Sequence, residues 1–256
     1  MKFAKDQVAR QFSRAAKTYD HAAQLQNEMA QRLIEEIPAQ RIGKLVDLGC
    51  GTGWALQQIA KLNRFELTAI DLAPGMIEIA KTRVPGAVFH CGDLESTPLE
   101  NDSADLVFSN AAIQWCDLTS AISEFKRLCR PGGLILFSTF GPETLKEIRT
   151  AWRAVETRPN RVHEFESAQA VESAINQVGL QSPHVRSHTH QLTFHSVDDL
   201  LASIKKLGAT NASSTRPTGL LGTGRYRDFR AFLEQQLTHD HRLKLTFECI
   251  FASCRV

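Results

Sequence analysis

The sequence has no long apolar run and almost no excess of charge. No segment reaches the roughly 18 consecutive apolar residues that a membrane-spanning helix needs, so no membrane partner is predicted. The formal net charge is +2, and this near balance gives no indication of nucleic acid as a partner. Residues 1–20 mix charges with short apolar spacings, which is not typical of a secretory signal. The remaining composition is that of an ordinary globular protein.

Paired cysteines and metal-ligand spacings are missing as well. The six cysteines contain no C-x-x-C pair, and the nine histidines lie at neither zinc-finger nor helical ligand intervals, so no metal site is predicted. Unpaired cysteines in apolar segments are typical of small buried side chains in a reducing compartment. We therefore expect a cytoplasmic protein.

Three glycines at alternate positions follow an apolar, strand-like run. Gly49, Gly51 and Gly53 end the run at 45–48, and a helical pattern begins at Trp54. Strand, glycine turn and helix open nucleotide-binding α/β sheets, because glycine adopts positive φ and lets a ligand approach the backbone. The third glycine of the dinucleotide fingerprint would fall on Trp54, and no Lys-Ser/Thr pair follows the glycines. Neither a dinucleotide turn nor a phosphate-binding P-loop is therefore predicted.

The stretch from Asp47 to Gly53, D-L-G-C-G-T-G, resembles motif I of the class I S-adenosylmethionine-dependent methyltransferases. That ligand carries no phosphate, so an acidic residue such as Asp47 is suitable beside the glycines. Helical and strand-like patterns alternate along the chain and predict a parallel sheet covered on both faces. The predicted strands are 44–49, 65–70, 87–90, 104–109, 134–140, 184–194 and 243–253. The predicted helices are 4–37 with a break near 19–21, 53–62, 74–83, 117–129, 143–156 and 167–178.

Two aspartates follow the second and third predicted strands. Ligands of such sheets bind at the carboxyl ends of the strands, where Asp71 can accept hydrogen bonds from both ribose hydroxyls. Asp93 can accept a hydrogen bond from the exocyclic amine of adenine, while Leu94 packs on the ring. Two ordinary roles stay open: Asp71 as the N-cap of the helix that begins at Pro74, and Asp93 as a turn residue.

The segments beside the predicted cofactor site offer further candidates. Asn110 and Trp115 belong to the loop after the fourth strand, which in class I methyltransferases faces the methyl donor and the acceptor. Trp115 either lines the pocket or belongs to the core. Tyr19 lies in an N-terminal helical segment that either covers the cofactor or packs on the core. Residues 203–230 hold six basic residues against one acidic residue, which indicates a solvated helix face or a surface for an acidic partner.

The chain also resembles, over nearly its full length, the malonyl-acyl-carrier-protein O-methyltransferase family of biotin synthesis. The narrower motifs are Gln114-Trp115-Cys116 after the fourth strand and Lys205-x-x-Gly208-Ala209-Thr210. The resemblance implies a class I methyltransferase fold of the α/β class. It implies one domain at 1–256, with a seven-stranded, mostly parallel sheet whose last strand inserts antiparallel beside the sixth. An N-terminal helical cap would cover 1–40, and a helical lid insertion would cover 196–242 between strands 6 and 7.

The implied reaction is methyl transfer from S-adenosylmethionine to the free carboxylate of a malonyl thioester, which leaves S-adenosylhomocysteine. The thioester would be carried on acyl carrier protein or coenzyme A. Such a carboxylate is ionised at neutral pH, since its pKa is roughly 4, so no general base is expected. The implied cofactor-binding residues are Asp47, Gly49, Gly51, Gly53, Asp71, Leu72, Met76, Asp93, Leu94, Asn110 and Trp115.

The residues that would bind the methyl acceptor are less clearly indicated by the sequence than those that would bind the cofactor. The candidates for holding the malonyl group are Tyr19, Asn110, Gln114, Lys205 and Thr210. The candidates for docking an acidic carrier protein are Lys205, Lys206, Arg225 and Arg227. Two alternatives keep the cofactor: a class I methyltransferase for another small carboxylate or a quinone-type acceptor, and a non-catalytic S-adenosylmethionine-binding interaction module.

Overall fold

A computed structural model describes residues 4–155, 163–206, 223–236 and 242–256, with backbone alone at 205, 206 and 223. The helices are α1 Lys5–Ala15, α2 Tyr19–Ala22, α3 Gln24–Glu35, α4 Trp54–Ala60, α5 Pro74–Arg83, α6 Leu118–Leu128, α7 Lys146–Val155, α8 Ala168–Val178, α9 Val197–Lys206 and α10 Thr223–Glu234. Short 3-10 turns cover Ala16–Thr18 and Ile113–Trp115. The strands are β1 Gly43–Leu48, β2 Phe65–Asp71, β3 Val88–Cys91, β4 Ala104–Asn110, β5 Cys129–Phe140, β6 Gln181–Phe194 and β7 Leu243–Arg255.

The seven strands form one sheet in the order β3-β2-β1-β4-β5-β7-β6. The first five strands are parallel, while β7 lies antiparallel between β5 and β6. This arrangement confirms the predicted seven-stranded, mostly parallel sheet and the insertion of the last strand. The order reverses between β1 and β4, and a ligand crevice forms where the carboxyl ends of parallel strands diverge at such a reversal.

Apolar layers cover both faces of the sheet, as the continuous apolar strands predict. On one face Leu33 of α3 and Leu56 of α4 pack with Phe108 of β4, and none of the three is exposed. On the other face Phe125 of α6 contacts Phe137 of β5, with ring centroids 5.8 Å apart. Burying each of these side chains stabilises the fold by roughly 1.5–3 kcal/mol, which fixes the strand ends that carry the site.

Several boundaries differ from the pattern. The long N-terminal helix is interrupted at Ala16–Thr18 and again at Ala23, on either side of the predicted break. Strand β5 begins at Cys129 and not at 134, because Cys129 pairs with Ala104 of β4 ahead of a register shift in the ladder. None of the described helices is long and apolar enough to cross a bilayer.

All six cysteines are free thiols. Four of them are buried, as their apolar surroundings predict: Cys50, Cys129, Cys249 and Cys254. Cys116 is half-buried, and Cys91, at the end of the edge strand β3, is exposed. The expectation of burial therefore holds for these four cysteines, holds only in part for Cys116, and fails for Cys91 at the sheet edge.

Candidate functional site

A pocket lies over the carboxyl ends of β1, β2, β3 and β4. It is lined by Lys5, Val8, Ala9, Phe12, Tyr19, Gly49, Gly51, Asp71, Leu72, Ala73, Met76, Gly92, Asp93, Leu94, Asn110, Ala111, Ala112, Trp115 and Cys116. Most residues that the sequence nominated for a cofactor are therefore brought together. Asp47, Gly53 and Gln114 are not in this lining.

The glycine turn forms the floor of the pocket and has no room for side chains at its first position. Gly49 has φ +78°, and a Cβ there would stand 2.3 Å from the Cβ of Ala112. Gly51 has φ +54°, but a Cβ there would meet nothing within 4 Å. Gly53 also has positive φ, but its Cβ would stand 3.0 Å from the Cβ of Ala80. The third glycine thus lets helix α4 approach helix α5 and does not line the pocket.

The Asp71 carboxylate joins the glycine turn to the start of helix α5. Its Oδ2 accepts a hydrogen bond from the Gly51 N–H (2.8 Å), and its Oδ1 accepts one from the Ala73 N–H (2.8 Å). The N-cap of α5 is Ala73, and no side chain caps that helix. Burial raises the pKa of Asp71, and the two backbone hydrogen bonds oppose that rise. The helix-cap alternative therefore does not describe Asp71, which stands in the pocket wall.

Asp47 lies in strand β1, just before the glycine turn, and does not line the pocket. Asp47 is only 1% exposed, and its Oδ2 has no hydrogen-bond partner within the described ranges. Burial, and then the negative charge of Asp71, raise the pKa of Asp47 to about 8. A buried carboxyl without a cationic partner prefers its protonated form, so burial favours the neutral form of Asp47.

Asp93 is held by the N-terminal helix. Its carboxylate forms an ion pair with Lys5 of α1, which also pairs with Glu95. Its Oδ1 accepts a hydrogen bond from the Glu95 N–H (3.0 Å), as a turn aspartate does. Asp93 therefore has the turn role and also stands in the pocket wall, beside the buried Leu94.

Three more contacts fasten the N-terminal segment to the site. Thr52, in the glycine turn, donates a hydrogen bond to Asp20 Oδ1 (2.6 Å), and Arg83 pairs with the same carboxylate. The Gly75 N–H donates to Ser13 Oγ (3.3 Å), and a Cβ at Gly75 would stand 2.9 Å from the Ser13 carbonyl oxygen. Helix α1 and the residues after it therefore form one wall of the pocket.

Aromatic side chains close this wall. Phe12 contacts Tyr19 edge-on, with centroids 6.1 Å apart, and Trp115 with centroids 5.7 Å apart. Burial and the nearby carboxylates of Asp71 and Asp20 raise the pKa of the Tyr19 phenol, which stays protonated. Trp115 lies in the wall of the pocket, which decides between its two predicted positions.

The loop after β4 is held in an uncommon conformation. Ala111 has φ +50°, a region that L-residues rarely adopt. The Asn110 amide is engaged on both sides, since Nδ2 donates to the Gln26 carbonyl (3.0 Å) and Oδ1 accepts from Ser138 Oγ (2.7 Å). Gln114 Nε2 donates to the Ala111 carbonyl (2.7 Å). Both amides thus support the loop.

Gln114 also lines a neighbouring cavity, together with Thr139 and the buried His163. Burial lowers the pKa of His163 to about 4, so its imidazole is neutral at physiological pH. The ring of His163 lies 5.2 Å from that of Trp115. Cys116 lines both this second cavity and the pocket above the glycine turn, so the two lie side by side.

Comparison with known proteins identifies the family. A family model described as a methyltransferase domain matches residues 46–137. The malonyl-[acyl-carrier protein] O-methyltransferase of Halorhodospira halophila is 37% identical over 95% of this chain and 85% of that protein. The chain belongs to this O-methyltransferase family. The biotin biosynthesis bifunctional protein BioHC of Saccharophagus degradans is 35% identical over 96% of this chain and 46% of its own length.

A solved structure agrees with the methyltransferase fold. Geranyl diphosphate C-methyltransferase from Streptomyces coelicolor A3(2) superposes with a TM-score of 0.54 at 18% identity, over 90% of this chain and 79% of that one. At this identity the likeness concerns the fold alone.

The structure does not describe the side chains of three candidate residues of this methyltransferase. Thr210 lies outside the described residues, and Lys205 and Lys206 are placed only by their backbone at the end of α9. Arg225 and Arg227 are exposed on α10. Arg230 of the same helix pairs with Asp198 of α9, so it ties the two helices together.

Sequence reasoning missed Lys5, Ser13 and Asp20. Their partners are 88, 62 and 32 positions away, and no local pattern announces such distant contacts. The available signal was indirect: charged and hydroxyl residues alternate with the apolar positions of α1. Their role in this methyltransferase is to fasten α1 and the turns after it over the strand ends.

Proposed function

We propose that the protein transfers a methyl group from S-adenosylmethionine to the free carboxylate of a malonyl thioester. The observation that carries the proposal is the pocket, where the glycine turn and the carboxylates of Asp71 and Asp93 meet above the sheet reversal. Family membership over nearly the whole chain supports the malonyl acceptor. The name of the bifunctional relative supports a place in biotin synthesis.

The residues present fit the methyl donor. Asp71 has lone pairs left for the ribose hydroxyls, since each of its oxygens accepts one backbone N–H. Asp93 would accept a hydrogen bond from the adenine amine, and Leu72, Met76 and Leu94, which line the same pocket, would pack around the ring. The backbone at Gly49 and Gly51 leaves space for the methionine part of the ligand. When bound, S-adenosylmethionine supplies an activated methyl group.

The acceptor carboxylate needs positioning more than activation. It is ionised at neutral pH, since its pKa is roughly 4. The work of the chain is to align one carboxylate oxygen with the methyl group and to exclude water. Tyr19 donates a hydrogen bond from its protonated phenol, and Phe12 and Trp115 exclude water. Asn110 and Gln114 hold the loop in position, and Lys205 and Thr210 remain acceptor-side candidates.

Helix α1 acts as a clasp over the donor through Lys5. Replacing Lys5 by alanine is expected to speed the release of S-adenosylhomocysteine by about three- to tenfold, because a partly buried ion pair is lost. Stopped-flow dissociation measures the rate. Lys17→Ala, at an exposed position of the same segment, is the matched control. Identical release rates in the two variants would refute the claim that Lys5 holds helix α1 over the bound ligand.

An acidic carrier protein docks on the basic face of the insertion at 196–242. Reversing charge with Arg225→Glu and Arg227→Glu, together with Lys206→Glu, is expected to raise KM for malonyl on carrier protein by about tenfold. KM for malonyl-coenzyme A should stay nearly unchanged, because this substrate has no carrier protein to dock on the basic residues. Lys61→Glu, on an exposed residue at the far end of α4, is the control. Equal losses on both substrates would refute docking.

An acceptor panel tests the function. Malonyl on carrier protein, malonyl-coenzyme A and the succinyl analogues are incubated with radiolabelled S-adenosylmethionine, and methyl esters are counted. We expect esters on malonyl thioesters, at least tenfold more than on succinyl thioesters. If neither malonyl thioester gives an ester, the malonyl acceptor is refuted, and the alternatives of another small carboxylate or a quinone-type acceptor are left.

The proposal includes a cytoplasmic location.

A further inference from the structure

Ala111 has a backbone conformation that alanine rarely adopts, and it lies in the wall of the pocket above the glycine turn. Its φ is +50°, in the left-handed region. Asn63 and Asp102 also have positive φ, but asparagine and aspartate tolerate this conformation better than alanine does. Of the non-glycine residues with positive φ in the described part of the chain, only Ala111 lines this pocket. Such residues persist where the surrounding structure enforces them, and they cluster at functional sites.

The hydroxyl group of Ser138 is part of the structure that enforces this conformation. Ser138 is fully buried in β5 and lies opposite Asn110 in the parallel register of β4 and β5. Its Oγ donates a hydrogen bond to Asn110 Oδ1 (2.7 Å) and accepts one from the Ala111 N–H (3.1 Å). The Ser138 carbonyl oxygen accepts from the same N–H (3.1 Å). The hydroxyl therefore joins the side chain of the last residue of β4 to the backbone of the strained residue.

The carbonyl group of Ala111 is held as well. Gln114 Nε2 donates a hydrogen bond to this carbonyl (2.7 Å). The Gln114 Oε1 atom in turn accepts a long hydrogen bond from Thr139 Oγ1 (3.5 Å). Two successive residues of β5 thus hold Ala111 on both sides, Ser138 directly and Thr139 through Gln114.

The conformation of Ala111 determines where the next residue lies. Ala112 packs so closely on the glycine turn that a Cβ at Gly49 would stand 2.3 Å from the Cβ of Ala112. Gly49, Asn110, Ala111 and Ala112 all line the pocket. A change of φ at Ala111 to an ordinary negative value would redirect the chain and move Ala112 away from Gly49. The shape of the pocket at the glycine turn therefore depends on the backbone of Ala111.

We propose that Ser138 is a positioning residue of the methyl-donor site, whose hydroxyl keeps Ala111 left-handed and thereby holds the loop after β4 against the glycine turn. This inference rests on the proposed function. Ser138 does not line the pocket, so it acts through Asn110 and Ala111, which do. A serine that served the fold alone would contribute to stability and not to ligand affinity.

Replacing Ser138 by alanine separates these two roles. Ser138→Ala is expected to raise Kd for S-adenosylhomocysteine by about tenfold, because the loop then spends most of its time outside the binding geometry. Calorimetric titration of the whole protein measures Kd. The matched control is Thr246→Val, since Thr246 is another fully buried hydroxyl residue of the sheet, donates to Glu147 Oε1 (2.5 Å) and does not line the pocket. Both substitutions should lower the melting temperature by roughly 2–4 °C. Thr246→Val should change Kd by less than about twofold, because distant sites act independently.

Replacing Ala111 by glycine shows whether the hydroxyl acts through this backbone. Glycine adopts positive φ without strain, so the loop needs the Ser138 hydroxyl less when glycine stands at 111. The effect of Ser138→Ala on Kd should therefore fall from about tenfold to less than about threefold in the Ala111→Gly background. If Ser138→Ala does not fold, Ser138→Cys takes its place in both backgrounds, because the thiol is close in size and bonds only weakly.

Three results would overturn the inference and leave the proposed function intact. The first is an unchanged Kd in Ser138→Ala. The second is an equal rise of Kd in Ser138→Ala and Thr246→Val, which would make the effect one of general stability. The third is a full effect of Ser138→Ala that persists in the Ala111→Gly background, since the hydroxyl would then act by another route. If the unaltered protein does not bind S-adenosylhomocysteine, the proposed donor and the inference are refuted together.

Discussion

Replacing Asp71 by alanine is expected to lower the affinity for S-adenosylhomocysteine by at least about 100-fold. Two hydrogen bonds from the ribose to a charged acceptor are lost, each contributing about 1.5–3 kcal/mol, so the loss exceeds the roughly 2.7 kcal/mol that corresponds to 100-fold. The variant also frees the Gly51 N–H, which now bonds to Asp71 at 2.8 Å. Calorimetric titration with S-adenosylhomocysteine measures the loss.

The control for Asp71 is an aspartate that really does cap a helix. Asp117 is the N-cap of α6 and accepts from the Ser120 N–H at 2.9 Å. Its replacement by alanine should cost about 1 kcal/mol of unfolding free energy and leave cofactor affinity unchanged. If Asp71→Ala behaved in the same way, with reduced stability and nearly normal affinity, Asp71 would be a structural residue and the ribose assignment would be wrong.

Replacing Gly51 by alanine is expected to weaken cofactor binding by at least about tenfold without unfolding the protein. A Cβ at Gly51 meets no protein atom within 4 Å, and Gly51 lines the pocket, so the added methyl group takes up space meant for the ligand. The left-handed backbone at φ +54° adds a strain of about 1–2 kcal/mol.

Gly132 provides the matched substitution. It also has positive φ, at +75°, and open space around a Cβ, but it lies in β5 away from the pocket. Gly132→Ala should therefore carry the same strain and bind the cofactor normally. Differential scanning calorimetry gives the stability of both variants, and titration gives the affinities. Equal affinities in the two variants would contradict the placement of the ligand against the glycine turn.

The donor half of the site follows from local sequence patterns. Glycines after a strand, and aspartates after the next two strands, meet because parallel strands end at one edge of a sheet. The strand patterns place Asp71 and Asp93 at that edge without any knowledge of distant contacts. The last strand is a different case, because its position between β5 and β6 came from family resemblance and not from periodicity.

Local sequence patterns do not predict which side chains of a segment face the pocket. Strand β1 is buried on both faces, so alternation does not reveal that Asp47 is buried and absent from the pocket lining. Gly53 continues the glycine series but serves the contact between α4 and Ala80. Gln114 is adjacent to Trp115 in sequence, yet its amide turns to the Ala111 carbonyl and to the second cavity.

The most direct test asks where the methyl group goes. A malonyl thioester offers two nucleophilic positions, the free carboxylate and the acidic central carbon. One turnover with isotopically labelled S-adenosylmethionine, followed by fragmentation mass spectrometry of the malonyl-carrier protein, locates the label. We predict the label on the carboxylate oxygen as a methyl ester that mild base removes. A label on the central carbon, resistant to base, would contradict O-methylation and the positioning role assigned to Tyr19.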